Sequence, residues 1–194
     1  GLPTTGGSRL MLDHVATATS TAVARLEAAG AILLGKLNTW EYGTGNGGVY
    51  HDLPFPVARN PWDLTKNPGG SSAGAGTAGA AGYGPLHVGT DIGGSIRLPA
   101  GWCGLVGLKP SAGRLPIDPP FIGRAAGPMT RTVGDTALYM SVLTTPDRRD
   151  TMALPYQEID WLNLAGSVKG LKIGLWLEAG FGQEAGAETL TAVQ

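Results

Sequence analysis

The sequence is poor in cysteine and has no cluster of histidines. Its 194 residues include one cysteine, Cys103, and three histidines that stand far apart. A lone cysteine cannot form an internal disulfide, so the chain is not a disulfide-stapled secreted module. Isolated histidines beside a single cysteine offer no zinc-ligand spacing, and we therefore predict no metal site.

A basic surplus and a long apolar run are also absent. The chain has 14 Lys and Arg against 15 Asp and Glu, for a formal net charge of −1. Proteins that neutralise nucleic-acid phosphates need a basic face, so we expect no direct nucleic-acid partner. No apolar run approaches the roughly 20 residues that span a bilayer, so we expect no membrane partner. Hydrophobic residues make up 42%, which suits one globular domain.

Glycine is abundant, at 32 residues, which indicates tight turns or close approaches of the backbone. Residues 19–29 have the spacing of an amphipathic helix, and the apolar run at 31–34 predicts a buried strand, so together they indicate an α/β unit. Other segments with a regular pattern are a strand at 86–89, a helix at 134–143, a strand at 171–177 and a helix from 182 to 194. We predict irregular structure for residues 43–70. The first residue is not Met and the last helix pattern has no evident cap, so we expect a piece of a longer protein.

Two glycine–serine segments carry the chemical signal, Pro-Gly-Gly-Ser-Ser-Ala-Gly-Ala-Gly at 68–76 and Gly-Thr-Asp-Ile-Gly-Gly-Ser-Ile-Arg-Leu-Pro-Ala at 89–100. A serine hydroxyl is a weak nucleophile until a base takes its proton. Acyl transfer also needs donors aimed at the developing oxyanion. Glycines directly before Ser95 expose backbone N–H groups, and a helix that starts after Ser95 would add its positive dipole end.

Simpler roles stay open for each segment taken alone. Gly-Gly-Ser is common in loops, and serine is a good helix N-cap. A phosphate-binding loop is a weaker alternative, because neither segment has the form G-x-x-x-x-G-K-[ST]. The G-x-G-x-x-G spacing that begins at Gly74 falls in an alanine-rich run without a preceding strand.

Taken together, the two segments resemble the amidase signature family. Ser71 and Ser95 lie 24 positions apart, which matches the family's spacing between its bridging serine and its nucleophile. The likeness covers most of residues 1–144 and, more weakly, the strand predicted at 171–177. It continues through Gly35-Lys36-Leu37-Asn38, Asn60-Pro61-Trp62-Asp63, residues 104–111, Gly113-Arg114 and Gly127-Pro128-Met129-Thr130-Arg131.

The resemblance implies an α/β fold with a mixed β-sheet core flanked by helices, in one truncated amidase domain over residues 1–194. It implies that Ser95 attacks an amide carbonyl to form an acyl-enzyme, and that Ser71, which follows a cis peptide bond, relays the proton. The other residues to which the resemblance gives a role are the oxyanion-hole donors Ile92, Gly93 and Gly94, together with the N–H of Ser95, and the supporting residues Asp91, Arg97 and Ser72.

The base that the resemblance implies is a lysine of a Lys-Asp motif, in a segment that precedes this chain. Lys36 is not expected to replace it, because Gly-Lys-Leu-Asn matches a different position of the family. A lysine base must be neutral, whereas an ordinary lysine with a pKa of about 10.4 is protonated at neutral pH. We therefore expect two members of a Ser-Ser-Lys site in these residues.

The activity implied by the resemblance is hydrolysis of the C–N bond of a carboxamide, a small-molecule amide, with no metal and no organic cofactor. The resemblance allows a homodimer, and we expect a cytoplasmic location. Two alternatives stay open. One is the A subunit of a glutamine-dependent tRNA amidotransferase, which shares both serine segments and works with partner subunits. The other is a catalytically inert fragment that keeps the fold.

Overall fold

The computed structural model describes residues 1–44, 55–177, 180–182 and 184–193. The chain divides into two compact units, residues 1–164 and residues 165–194. The single amidase domain expected over the whole chain stays a prediction. Among the described residues, the helices are too short or too polar to cross a bilayer.

A three-stranded antiparallel sheet lies in the larger unit. Its strands are β1 (Leu86–Asp91), β2 (Val106–Gly107) and β3 (Ala125–Thr130). The order is β1-β3-β2, with Leu86 opposite Thr130 and Asp91 opposite Ala125. The predicted α/β class is confirmed, and β1, predicted over 86–89, extends to Asp91 at one edge of the sheet.

Five α-helices and two short 3-10 turns are described. The α-helices are α1 (Thr21–Ala28), α2 (Ala73–Ala80), α3 (Arg97–Cys103), α4 (Val133–Leu143) and α5 (Ala187–Val193), and the 3-10 turns are Arg9–Met11 and Glu41–Gly43. The amphipathic spacing thus predicted α1 and α4 correctly. Thr132 caps α4, since its hydroxyl accepts from the Asp135 N–H at 3.0 Å and donates to the Asp135 carboxylate at 2.7 Å. α5 is shorter than the helix predicted over 182–194.

The central strand β3 was not anticipated, because it contains Pro128. Proline has no N–H and rarely lies in a central strand. Here Pro128 lies opposite Val88 on the β1 side, and its carbonyl accepts from the Leu108 N–H at 3.2 Å on the other side. The side of Pro128 that lacks an N–H therefore faces Leu108, just beyond the end of β2, where the sheet loses little pairing.

Helices pack on both faces of the sheet. On one face, Leu143 and Met140 of α4 pack with Ala126, and Leu26 of α1 joins this cluster. On the other face, Ala75 of α2 and Ile96 pack against Met129. The two faces of β3 thus contact different helix layers, as its alternating side chains require.

Two predicted strands are wrong. Residues 31–34 and 171–177 form no strand, and most of their apolar side chains are exposed: Ile32 by 85%, Leu34 by 78% and Ile173 by 86%. An apolar run forms a strand only where a neighbouring backbone pairs with it, and the described structure offers none at either place. Of the segment predicted as irregular, residues 45–54 lie outside the described residues.

Candidate active site

Ser71 lies two residues before the start of α2 and is buried, with 4% of its surface exposed. Its carbonyl accepts two hydrogen bonds, from the Thr39 hydroxyl at 3.1 Å and from the Trp40 N–H at 3.0 Å. The peptide bond between Gly70 and Ser71 is cis, as the family resemblance implied. A Cβ at Gly70 would overlap the Trp40 indole, so only glycine fits there. These contacts fix the backbone of Ser71 from the opposite segment.

Gly43 lies beside the Ser71 hydroxyl. A Cβ added to Gly43 would lie 3.6 Å from Ser71 Oγ, and its φ of +72° favours glycine. The preceding residue, Tyr42, also has a left-handed backbone, with φ of +49°, and its N–H donates to the Gly6 carbonyl at 2.8 Å. The turn at 42–43 is therefore held in the conformation that places glycine against Ser71.

Ser72 joins the two glycine–serine segments. Its N–H donates to the Ser95 carbonyl at 3.3 Å. Its hydroxyl accepts from the Thr90 N–H at 3.3 Å and lies 3.4 Å from the Thr90 carbonyl. A Cβ at Gly89 would lie 2.8 Å from Ser72 Oγ, so a glycine is required opposite this hydroxyl. The start of α2 is thereby held against the end of β1, and residues predicted to form one site come together.

The Asp91 carboxylate organises the loop that contains Ser95. One oxygen accepts from the Gly94 N–H at 2.7 Å and from Arg97 Nη2 at 3.0 Å. The other accepts from the N–H groups of Ile96 and Arg97 and from Arg97 Nε, at 2.9–3.2 Å. Only 1% of Asp91 is exposed. Burial alone would raise the pKa of this carboxyl, but Arg97 and the three backbone donors hold it well below its usual range.

Arg97 takes the other side of this ion pair while its side chain remains half exposed. The hydrogen bond to Asp91 raises the pKa of the Arg97 guanidinium, so the pair is charged at neutral pH. α3 starts at Arg97, two residues after Ser95, as predicted. Two of the three predicted supporting residues, Asp91 and Arg97, are thus in contact.

The loop N–H groups differ in what they bind. Gly94, whose φ is +120°, donates to Asp91, so the structure does not leave its N–H open as the predicted oxyanion donor. Within the part of the chain that the structure describes, no acceptor takes the N–H of Ile92, Gly93 or Ser95. Ile92 and Gly93 are exposed and Ser95 is half-buried. Three N–H groups of this loop are therefore available to a ligand.

Lys36 does not join this cluster. Its ammonium donates to the Thr4 hydroxyl at 2.6 Å, and burial lowers its pKa. Among residues 1–44, 55–177, 180–182 and 184–193, Lys36 forms no hydrogen bond to Ser71 or Ser95, and no three His, Cys, Asp or Glu side chains gather closely enough to hold a metal ion. Cys103 is buried, and its thiol lies 3.4 Å from the Pro68 carbonyl.

Three contacts of Ser71 were missed by sequence reasoning. Thr39, Trp40 and Gly43 lie in the segment that follows Gly35-Lys36-Leu37-Asn38, about 30 positions before Ser71. The only local signal was the adjacency of this segment to a stretch that already resembled the family. A cross-chain contact of this kind leaves no periodicity in the sequence.

Comparisons with known proteins agree with this geometry. The family model named Amidase matches residues 1–194. The A subunit of the glutamyl-tRNA(Gln) amidotransferase of Roseiflexus castenholzii is 40% identical over 202 residues, which cover 100% of this chain and 41% of that protein. The acylamidase of Rhodococcus erythropolis is 43% identical over 187 residues, which cover 94% of this chain and 39% of that protein.

A solved structure gives the same result. The crystal structure of a bacterial aryl acylamidase of the amidase signature family superposes with a TM-score of 0.75 at 40% identity, covering 84% of this chain and 34% of that one. This chain spans about two fifths of the length of the curated relatives that it matches.

Proposed function

Since the chain belongs to the amidase family, we propose that it contributes the nucleophile of an amidohydrolase that cleaves the C–N bond of a carboxamide. Ser95 Oγ attacks the carbonyl carbon and gives up its proton. The C–N bond then breaks, and the amine or ammonia leaves with a proton. Water hydrolyses the resulting ester, which releases the acid and restores Ser95.

One observation carries this proposal: the Ser72 N–H donates to the Ser95 carbonyl. This hydrogen bond brings together two serine segments whose hydroxyls the reaction needs at one place. Ser71 is the proton relay, and the base that drives it is a lysine outside these 194 residues. Because the buried Ser71 is fixed by Thr39 and Trp40, its hydroxyl starts from a defined backbone position.

The oxyanion of the tetrahedral intermediate is bound by the open N–H groups of Ile92, Gly93 and Ser95. Asp91 holds the N–H of Gly94 and thereby the loop, so these donors are oriented before substrate arrives. Removal of one preorganised donor of this kind lowers the rate by about 10²–10³-fold. Asp91 and Arg97 position the loop that contains Ser95 and do not touch the reacting atoms.

Labelling with a fluorophosphonate tests the nucleophile. We expect the protein that contains this chain to gain one adduct in its intact mass, and Ser95→Ala to gain none and to lose turnover by about 10⁴-fold or more. Ser71→Ala should keep a slow residual turnover. Ser167→Ala, which changes an exposed serine outside the cluster, is the matched control and should behave as the parent. Equal labelling and turnover of Ser95→Ala and the parent would refute the assignment.

A second candidate is the A subunit of an amidotransferase, which is favoured by the 40% identity to one such protein over the whole chain. In that case ammonia is released from glutamine only when partner subunits are added. Hydrolysis of simple amides without partners would exclude it. An inert protein would show circular dichroism of a folded chain and no adduct. The homodimer and the cytoplasmic location stay predictions.

A further inference from the structure

Tyr42 has a backbone conformation that its side chain disfavours. Its φ of +49° and ψ of 23° lie in the left-handed region, and among the described residues no other residue except glycine has a positive φ. A bulky residue is uncommon in this region because its Cβ crowds the following carbonyl oxygen, and such residues concentrate at functional sites. The backbone alone therefore favours glycine at position 42, and contacts of the tyrosine have to offset this preference.

The ring of Tyr42 packs on the backbone of Gly6. A Cβ added to Gly6 would lie 3.3 Å from both Cδ1 and Cε1 of the ring. The same two residues share a hydrogen bond, in which the Tyr42 N–H donates to the Gly6 carbonyl at 2.8 Å. Gly7 is equally close to the neighbouring backbone, because its Cβ would lie 2.8 Å from the Thr39 carbonyl oxygen. Tyr42 thus holds the Gly6 turn with its side chain and its backbone together.

Gly6 is a firm support for the ring, because hydrogen bonds close the turn that contains it. The Thr5 hydroxyl accepts from the Gly7 N–H at 3.2 Å, and the Thr5 carbonyl accepts from the Ser8 N–H at 3.0 Å. Only 1% of Ser8 is exposed, so this turn is anchored in the larger unit. Tyr42 itself is 51% exposed, and its ring therefore adds little to the core.

The short turn that contains Tyr42 also contacts Ser71. The Gly43 N–H donates to the Trp40 carbonyl at 2.9 Å, and the Trp40 N–H donates to the Ser71 carbonyl at 3.0 Å. Gly43 follows Tyr42 directly, and a Cβ at Gly43 would lie 3.6 Å from Ser71 Oγ. A displacement of the Tyr42 backbone would therefore move the residue that lies beside the Ser71 hydroxyl.

We propose that Tyr42 is a positioning residue for the proton relay of Ser71. Its ring, supported by Gly6, keeps the turn at 42–43 in its left-handed conformation and so fixes the backbone of Gly43 beside the Ser71 hydroxyl. This inference rests on the proposed function, in which Ser71 accepts the Ser95 proton and gives its own to a lysine outside these 194 residues. A hydroxyl with fixed surroundings is aligned for both transfers, so Tyr42 acts on the rate of the step and not on substrate binding.

Kinetics of Tyr42 variants in the protein that contains this chain test the proposal. Tyr42→Gly suits the left-handed backbone but removes the ring, and we expect kcat to fall about 10-fold while KM stays within about 2-fold of the parent. Tyr42→Phe keeps the ring and should restore kcat to within about 2-fold of the parent. Tyr156→Gly removes an exposed tyrosine elsewhere in the chain and is the matched control, which should behave as the parent.

Two results of these measurements would overturn the proposal. One is a Tyr42→Gly variant with the kcat of the parent. The other is a raised KM with unchanged kcat, because the ring would then contribute to substrate binding. Turnover by Ser95→Ala would refute the proposed function and this inference with it. An inactive Ser95→Ala beside Tyr42 variants that match the parent would refute this inference alone.

Gly6→Ala gives a second measurement, at the support of the ring. Its added Cβ would displace the Tyr42 ring, so kcat should fall about 10-fold in the parent. In the Tyr42→Gly background no ring is left to displace, and the same substitution should lower kcat by less than about 3-fold. Equal losses in the two backgrounds would show that Gly6 does not act through the ring, and would overturn the proposal.

Discussion

The segment at 68–76 and the segment at 171–177 reverse what hydropathy suggests. The first consists of Pro, Gly, Ser and Ala, and eight of its nine residues are buried. The second, Leu-Lys-Ile-Gly-Leu-Trp-Leu, is strongly apolar, and six of its seven residues are exposed. The difference lies in hydrogen-bond partners. Ser71 and Ser72 bond to Thr39, Thr90 and Ser95, whereas residues 171–177 pair with no strand within the part of the chain that the structure describes. Burial follows pairing more closely than it follows hydropathy in this protein.

Truncation of one buried leucine and one exposed leucine should give the largest difference in stability. Leu143 is 1% exposed and packs with Tyr139 and Met140, so Leu143→Ala should lower the free energy of unfolding by about 3 kcal/mol. Leu175 is 58% exposed, and Leu175→Ala should change it by less than about 0.5 kcal/mol. Denaturant unfolding of the 194-residue chain measures both. Equal losses would mean that residues 171–177 are packed in solution.

Loss of the buried carboxylate should have a slightly smaller effect. Asp91→Asn removes the charge from a carboxylate that accepts five hydrogen bonds. We expect the free energy of unfolding to fall by about 2–3 kcal/mol. This is at the low end for a buried ion pair, because Arg97 is half exposed. The exposed Asp160 is the matched control, and Asp160→Asn should be neutral within about 0.5 kcal/mol. Thermal unfolding of the two variants makes the comparison. A neutral Asp91→Asn would show that backbone donors alone hold the loop.

Glycine substitutions sharpen the same comparison at a finer scale. A Cβ at Gly69, where φ is +84°, would lie 2.8 Å from the Pro99 nitrogen, so Gly69→Ala should lower the free energy of unfolding by about 2 kcal/mol. Gly174 has open space around it and no positive φ, and Gly174→Ala should stabilise by up to about 0.5 kcal/mol. Urea titrations resolve the sign. A destabilising Gly174→Ala would reveal a close contact in the 171–177 segment.

Acid should lower the free energy of unfolding through protonation of Asp91. Its folded-state pKa lies below the ordinary value of about 3.9, so the unfolded chain binds the proton more readily. The resulting stability is fully present above about pH 5 and is lost as the pH falls below about 4, by up to about 1.4 kcal/mol per pH unit. Asp147, whose pKa is lowered by Arg149, acts in the same direction. Between pH 6 and pH 3, the free energy of unfolding should depend less steeply on pH for Asp91→Asn than for Asp160→Asn.

Local signals were sufficient for α1, α4 and β1 and insufficient for β3. α1 and α4 have helical spacing of apolar residues, and Asp135 marks the start of α4, so each could be predicted from its own residues. β3 could not, because Ala-Ala-Gly-Pro-Met-Thr lacks β-branched residues in a run and contains Pro128. Its strand character depends on β1, about 40 positions away, and on the end of β2.

The candidate site divides in the same way. The Asp91–Arg97 contact spans six positions and lies inside one motif, so its residues could be named from the sequence. The hydrogen bond from Trp40 to Ser71 spans 31 positions and joins two segments without a shared pattern. The use of the Gly94 N–H by Asp91 was also missed, because it depends on the φ of +120° at Gly94. Distances of this kind come only from the folded backbone.

The hydrogen bond between Ser72 and Ser95 has a further consequence, for the order of folding. It closes a loop of only 23 residues, and the contact of Cys103 with Pro68 closes one of 35. Short loops cost little closure entropy, and contacts near in sequence form early. We expect residues 68–103 to come together early, with the longer-range pairing of β1 to β3 added later, so substitutions at Ser72 should slow folding. The two serines would then be neighbours before the sheet is complete.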